Sequence, residues 1–271
     1  MSNFAPNTEG VWHDLPEKTY REAPGENIST LKVAMKSEAH YLAEKQAKKE
    51  STAAQILGTC IHTATLQPHL LASTCVVRPD GMDYRSKEGR SWRDSQTTPI
   101  ITSEDFAVAQ ACSNSIRAHK AASAILQGAK IEVAVFAIHE ETGLLRKARL
   151  DLVTTDANNS TTVADIKTCD DASPDGFSRA IGKWDYASQA SFYTDIIGAS
   201  FFCFIAVEKT PPYACAVYCV DAESLQIGRD RNNVCLRRIA QAKKTGIYPA
   251  YSDGIEMISA PRWMKAQAAT E

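Results

Sequence analysis

The sequence predicts an α/β fold with a central mixed β-sheet flanked by helices. Three observations predict it. Apolar, β-branched runs recur at 131–140, 143–155, 161–168, 201–208 and 213–220. The first three are joined by short turns, as in an antiparallel meander. Segments rich in Ala, Leu, Lys and Glu stand before, between and after these runs, where helices would flank the sheet.

Each element has its own signal. Residues 1–26 carry Pro6, Pro16 and Pro24 with several Gly and Asn, and read as an irregular arm. Leu31 to about Lys49 is made of good helix formers, and Ser29 or Thr30 would cap its start. Thr52 and Gln55 form a capping-box pattern that opens a second helix. Ile56, Ile61, Ala64 and Leu66 supply its apolar positions up to Pro68. Residues 73–100 hold Pro79, Gly81, Gly89 and Pro99 among mixed charges, the pattern of a long polar connection. Ser103 to Leu126 reads as helix, with Phe106, Ala109, Ile116 and Ile125 apolar.

The period then changes. IEVAVFAIHE (131–140), GLLRKARLDLVTT (143–155) and TTVADIKT (161–168) read as three adjacent strands. Pro174 opens a helical region to about Ile197. FFCFIAVE (201–208) and YACAVYCV (213–220) are strands around a Pro-Pro turn. A last helix runs from about Ala222 to Lys244, with Gly246 as its stop. The expected organisation is an arm at 1–26, one domain at 27–250 and a tail at 251–271.

Composition narrows the function. The 271 residues include 30 Lys or Arg and 32 Asp or Glu, a formal net charge of −2. That excludes a uniformly basic nucleic-acid coat, so any positive charge used in binding must be local. No apolar run approaches the roughly 20 residues that span a bilayer. The N-terminus lacks the basic start and apolar stretch of a signal peptide. A soluble, cytoplasmic protein is the expectation. The eight cysteines, Cys60, Cys75, Cys112, Cys169, Cys203, Cys215, Cys219 and Cys235, contain no C-x-x-C pair. They are expected as buried reduced thiols rather than disulfides or a metal cluster.

The chemistry concentrates in one segment. The chain has a single acid-x-Lys triplet, Asp165-Ile166-Lys167, at the end of an expected strand. Strand alternation puts Asp165 and Lys167 on one face. Asp151 lies on the preceding hairpin strand, within cross-strand reach. Two carboxylates and an ammonium would converge, and the carboxylates would repel unless a cation sat between them. Oxygen ligands of this kind favour Mg²⁺, with Mn²⁺ as a substitute. Such an ion can polarise a phosphate oxygen and acidify a bound water. Taken alone, the three residues would equally suit a surface salt bridge. His62 on the second helix, and Gln189 and Tyr193 at i, i+4 on the helix after the triplet, complete an ordered set.

This set resembles the PD-(D/E)XK nuclease superfamily, and more closely the RecE-type (exodeoxyribonuclease VIII-like) exonucleases. The likeness spans roughly residues 20–250. It rests on NISTLKVAMKSEAHYLAEK, LGTCIHTATLQP, DYRSKEGRSW, ARLDLV, VADIKT, DASPDGFSRAI and YASQASFYTD, in the family's order. The chain departs in having Ser37-Glu38 where the family often has Ser-Pro, and in lacking the proline before the first acid. Neither departure touches an expected metal ligand.

The resemblance implies a restriction-endonuclease-like fold and a role for each residue. His62, Asp151, Asp165 and the Ile166 carbonyl would hold Mg²⁺. Lys167 would activate or position the attacking water. Gln189 and Tyr193 would border the reaction centre. Ser29 and Lys32 would hold a 5′-phosphate, although Ser29 is equally suited to plain helix capping. Arg85, Lys87 and Arg90 would follow the DNA backbone, with Trp92 stacking on a base. The basic residues of the last helix read as a solvated face.

The implied activity is Mg²⁺-dependent digestion of linear double-stranded DNA from 5′ ends. It would leave 3′ single strands for a RecT-like annealing partner, with the enzyme assembled as a ring-shaped homo-oligomer, as in phage recombination. Two other readings stand beside it. One is a RecB-like nuclease on single strands with an iron–sulfur cluster. The other is a non-catalytic DNA-end-binding protein on the same fold.

Overall fold

The apolar runs become strands, and the alternation within them divides the molecule into two cores. The computed structural model describes residues 8–47 and 51–261, together with Ala5 and Met264. The chain begins with β1 (Gly10–Trp12), α1 (Glu17–Glu22), α2 (Ile28–Ala34), α3 (Glu38–Gln46) and α4 (Ala53–Leu66). A 3₁₀ turn (Pro68–Leu70), α5 (Leu71–Thr74), β2 (Val76–Val77), α6 (Lys87–Asp94) and β3 (Ile100–Ile101) follow. Next come α7 (Ser103–Ala118), α8 (Lys120–Gly128), β4 (Lys130–Ile138), β5 (Leu145–Thr155) and β6 (Thr161–Cys169). The last elements are α9 (Pro174–Trp184), α10 (Tyr186–Ile197), β7 (Phe201–Glu208), β8 (Cys215–Cys219) and α11 (Ala222–Thr245).

Among the described residues, the main sheet has the order β1-β4-β5-β6-β7-β8. Within this sheet only β6 and β7 pair in parallel, with Asp165 opposite Phe204 and Lys167 opposite Ala206, and β2 and β3 form a separate parallel pair. The sheet is therefore mixed, as expected. One face packs Leu31, Val133, Leu150, Phe192, Phe204 and Leu236 beneath α2, α10 and α11. The other packs Ile61, Ile116, Leu152, Ile166 and Ile205 beneath α4, α7 and α8. These side chains are almost wholly buried, and such burial contributes about 1.5–3 kcal/mol each.

Several boundaries differ from expectation, each for a local reason. The arm contains β1 and α1, and β1 pairs antiparallel with β4 through Val11 and Val135. The helix expected from Leu31 onward is two helices, because Ser37 is extended and its hydroxyl accepts from the His40 N–H. Neither Ser29 nor Thr30 caps the first of them. Asn27 does, and Thr30 closes the capping box. The Thr52–Gln55 capping box forms as expected. The 103–126 helix breaks at His119, whose backbone is extended and whose Nδ1 accepts the Ala122 N–H to cap α8. The 174–197 helix breaks at Asp185, a left-handed residue (φ 53°, ψ 48°). The polar connection contains α6, capped by Ser86. Gly246 ends α11 in the left-handed conformation that glycine favours (φ 72°).

The basic residues of α11 are not simply a solvated face. Arg229 pairs with Asp195, Arg231 with Asp185, Arg237 with Glu141 and Arg238 with Glu38. These pairs tie the helix to its neighbours. All eight cysteines are free; Cys60, Cys75, Cys112 and Cys235 are buried, whereas Cys219 is exposed. The buried-thiol expectation therefore holds for half of them.

Two contacts that hold the scaffold are testable. Glu26 is buried, accepts from Tyr41 Oη at 2.9 Å and pairs with Lys243 at 2.5 Å and Lys45 at 3.5 Å. Burial raises its pKa, but the Lys243 and Lys45 charges and the Tyr41 bond outweigh it and hold the carboxyl below its ordinary value. Its stabilising contribution is thus complete above about pH 4.3 and is lost as pH falls through the depressed folded value. Glu26→Ala should cost about 3 kcal/mol at pH 7 in chemical denaturation, with a smaller gap near pH 3. A gap independent of pH would contradict this. Gly228 lets α11 approach α10, since a Cβ there would lie 2.1 Å from the Ala187 carbonyl oxygen. Gly228→Ala should destabilise the chain by about 1–3 kcal/mol; a neutral denaturation midpoint would contradict the close packing.

Candidate active site

The site forms where β5 and β6 stop pairing. Their ladder runs from Thr155–Thr161 to Leu152–Ala164. One residue further on, Asp151 uses its side chain in place of backbone. Its Oδ2 accepts the Ile166 N–H at 2.9 Å. Leu150 packs in one core and Leu152 in the other. In a regular strand, residues two apart share a face, so β5 rotates at Asp151. The neighbouring strand does the same. Val133 and Ile131 lie on opposite cores, and Glu132 between them is left-handed (φ 52°). A non-glycine residue with that φ is strained, and here the strain sits beside Asp151.

Alternation along β6 then separates the triplet. Ile166 enters the core beneath α4, and Asp165 and Lys167 face α10. Lys167 Nζ lies 2.5 Å from Asp165 Oδ2. Gln189 Nε2 donates to Asp165 Oδ1 at 2.7 Å, and Tyr193 stands one turn further along α10. From the other side, His62 on α4 donates through Nε2 to the Ile166 carbonyl at 2.9 Å. Its Nδ1 is 3.3 Å from Asp151 Oδ2. The structure therefore brings together His62, Asp151, Asp165, Ile166, Lys167, Gln189 and Tyr193, which are 131 residues apart in sequence at the extremes; contacts link His62 through to Gln189, and Tyr193 lies one turn further along α10.

The electrostatics are those of crowded like charges. Burial, and then the Asp165 charge, push Asp151 up to about 7, while His62 and Lys167 pull it down and Glu132 adds to the rise. Burial lowers Lys167, but Asp165 and Asp151 outweigh it and its pKa is raised. Lys167 is thus held as an ammonium. Burial raises the Tyr193 phenol well above its ordinary value.

These residues suit a divalent cation. Asp165 Oδ2 is buried and makes no well-directed hydrogen bond, although Lys167 Nζ is in ionic contact with it. A cation would satisfy that oxygen and relieve the repulsion that raises Asp151. The donors are hard oxygens and one imidazole, which fit Mg²⁺ or Mn²⁺. Among the described residues, no three His, Cys, Asp or Glu side chains form a ready-made metal cage. His62 and the Ile166 carbonyl are bonded to each other here, so both acting as ligands requires their separation.

The expected DNA-binding residues fall in three places. Ser29 is exposed and lines a cavity of about 400 Å³ with Tyr20, Arg21, Lys147, Arg149 and Tyr193. Lys32 instead donates to the Trp184 carbonyl at 2.8 Å. Lys32 and Lys167 lie 5.5 and 5.2 Å from the centre of the Tyr186 ring, so Lys32 is next to the site. Burial, with the Lys167 charge nearby, pushes Lys32 down to about 8. Arg85 pairs with Asp83 at 3.0 Å, and Arg90 donates to the Arg85 carbonyl at 2.6 Å. The bonds of these two residues stay within their own segment, and Lys87 begins α6 beside them. Trp92, expected to stack on a base, stacks on Tyr84 with ring centres 6.5 Å apart.

Sequence reasoning missed Glu132, Arg149 and Tyr186. Glu132 and Arg149 form an ion pair beside Asp151. Arg149 stands two residues before Asp151, and strand alternation was the available signal. A left-handed Glu within a strand has no sequence signal.

Comparison with known proteins bears on the fold. Residues 27–261 match the PDDEXK-like domain of unknown function (DUF3799). The chain belongs to this family. The expected PD-(D/E)XK-type fold is thereby established. A crystal structure of a "Putative exonuclease" from Eubacterium rectale superposes with a TM-score of 0.63 at 13% identity, covering 94% of this chain and 98% of that one. That likeness supports the fold. A crystal structure of SSO0001 is 14% identical over 66% of this chain and 86% of its own, with a TM-score of 0.28 that is too low to bear on the fold. No curated protein matches the sequence. Among the described residues, no helix is long and apolar enough to cross a membrane.

A metal effect on stability follows. An ion present at a hundred times its Kd stabilises a fold by about 2.7 kcal/mol. Mg²⁺ or Mn²⁺ should therefore raise the melting temperature of the wild-type chain but not that of Asp151→Asn. Without metal, Asp151→Asn should melt higher than wild type, because one of two repelling buried carboxylates is gone. Equal metal responses in both proteins would contradict the ligand assignment.

Proposed function

We propose that this chain is a divalent-metal-dependent DNA exonuclease. One observation carries the reading: on a PDDEXK-like fold, Asp151 and Asp165 on neighbouring strands converge with Lys167 and His62. Asp151 and Asp165 would hold the ion, with His62 and the Ile166 carbonyl as further ligands. When bound, Mg²⁺ would polarise the scissile phosphate and lower the pKa of a water.

The chain's own residues supply the rest. Lys167 is an ammonium, so it orients the attacking water and offsets charge building on the phosphate rather than removing a proton. Gln189 fixes the Asp165 carboxylate through Oδ1 and leaves Oδ2 toward the reaction centre. Tyr193 stays protonated and can donate to a phosphate oxygen. Lys32, at the edge of the site, offers a cation to the strand backbone.

The finer reading takes its support from the resemblance to RecE-type exonucleases. The substrate would be linear double-stranded DNA, degraded from 5′ ends. Ser29 and Lys32 would hold the terminal phosphate, and Arg85, Lys87 and Arg90 the duplex backbone. The product, a 3′ single-stranded tail, would pass to a single-strand annealing partner. A ring-shaped homo-oligomer would keep the enzyme on its DNA and gather basic residues in its channel, which the net charge of −2 permits.

End-labelled linear duplex, circular duplex and single-stranded DNA test this together. With Mg²⁺, linear duplex should be degraded from its 5′ ends and circular duplex left intact. EDTA, Asp165→Ala or Lys167→Ala should each reduce the rate by at least about a hundredfold. Undiminished digestion in EDTA would overturn the mechanism. Cleavage of circles would overturn the exonuclease assignment.

A further inference from the structure

We propose that Trp184 is a stacking platform for an unpaired nucleobase at the edge of the site. The inference rests on the nuclease reading and says how that site grips its strand: by a base as well as by phosphates.

Trp184 ends α9 and is 55% exposed, more than any other aromatic within the described helices and strands. Large rings left in water at a site are characteristic of binding hot spots. Its position is tied to the reaction centre. The Trp184 carbonyl accepts from Lys32, and Lys32 shares the Tyr186 ring with Lys167, the ammonium in contact with Asp165.

The backbone beneath the ring is held in place. Asp185, the next residue, takes the left-handed turn, and its carboxylate accepts from Ser188 Oγ at 2.8 Å and contacts Arg231 at 3.3 Å. Lys183 Nζ lies 4.9 Å from the indole centre. The result is an exposed ring on anchored backbone, with the Lys183 ammonium over the ring and Lys32 on the Trp184 carbonyl. This is the chemistry that single-stranded nucleic acid requires. Ammonium groups meet phosphates, and the ring meets a base of any identity. No feature of Trp184 reads base edges, so the contact should be indifferent to sequence.

The test measures equilibrium binding of the full chain, with Ca²⁺ in place of Mg²⁺ to prevent turnover. The probes are a labelled duplex with a short single-stranded extension and the same duplex with abasic sites in the extension. Wild type should bind the abasic probe about tenfold more weakly, within the range of a lost stacking contact. Trp184→Ala should bind the intact probe about tenfold more weakly and no longer distinguish the two. Trp184→Phe should restore most of the difference.

Equal wild-type affinity for both probes, or no binding of either, would overturn the proposal. So would base discrimination that survives in Trp184→Ala, or a change of oligomeric state in that variant with DNA affinity unchanged, which would mark Trp184 as a subunit contact. The nuclease reading fails separately. Base-dependent binding without hydrolysis in Mg²⁺ would defeat that reading alone, and hydrolysis without base-dependent binding would defeat only the role of Trp184.

Discussion

The structure depends on keeping two carboxylates and an ammonium close together inside a protein. Burying an unpaired charge is costly, and burying two like charges side by side is costlier still. The chain meets that cost locally. Asp151 accepts a backbone N–H that the sheet would otherwise use, Asp165 is held by Gln189, and Lys167 adds the opposite charge. What remains uncompensated is repulsion between the acids and an ill-satisfied oxygen on Asp165. A divalent cation is the species that removes both.

Such an arrangement persists only on a rigid frame. Cores on both faces of the sheet hold β5 and β6, and α4 and α10 approach the triplet from opposite sides. The frame extends outward from there. Asn232 on α11 donates to the Ser188 carbonyl and to Ser191 Oγ, which anchors α10 behind Gln189. Glu26 ties Tyr41 and Lys243 together and pairs its backbone with β5 through Leu145 and Lys147. The strained Glu132 is affordable because these contacts over-determine the strands around it.

Local signals in the sequence are read well. The strand at Phe201–Glu208 matches its apolar run, the Thr52 capping box opens α4, and Gly246 ends α11. The candidate site is legible too, because a hairpin and strand alternation suffice to bring Asp151 near Asp165 and Lys167. What is not legible lies outside composition and period. The breaks at Ser37, His119 and Asp185 interrupt compositions that are helical throughout; Ser37 and His119 cap the helix that follows with their side chains, and Asp185 turns left-handed. β1 is three residues long and exists because β4 offers an edge. Arg85 and Trp92 read as free for DNA, but Asp83 and Tyr84 engage them within a folded segment.

The central claim is that Asp151 and Asp165 share a divalent ion. Anomalous diffraction from crystals grown with Mn²⁺ addresses it without reference to turnover. The account predicts a single strong peak in contact with both carboxylates, with His62 turned from the Ile166 carbonyl to join it. A peak elsewhere, or none, with Asp165 still bound only by Gln189 and Lys167, would contradict it.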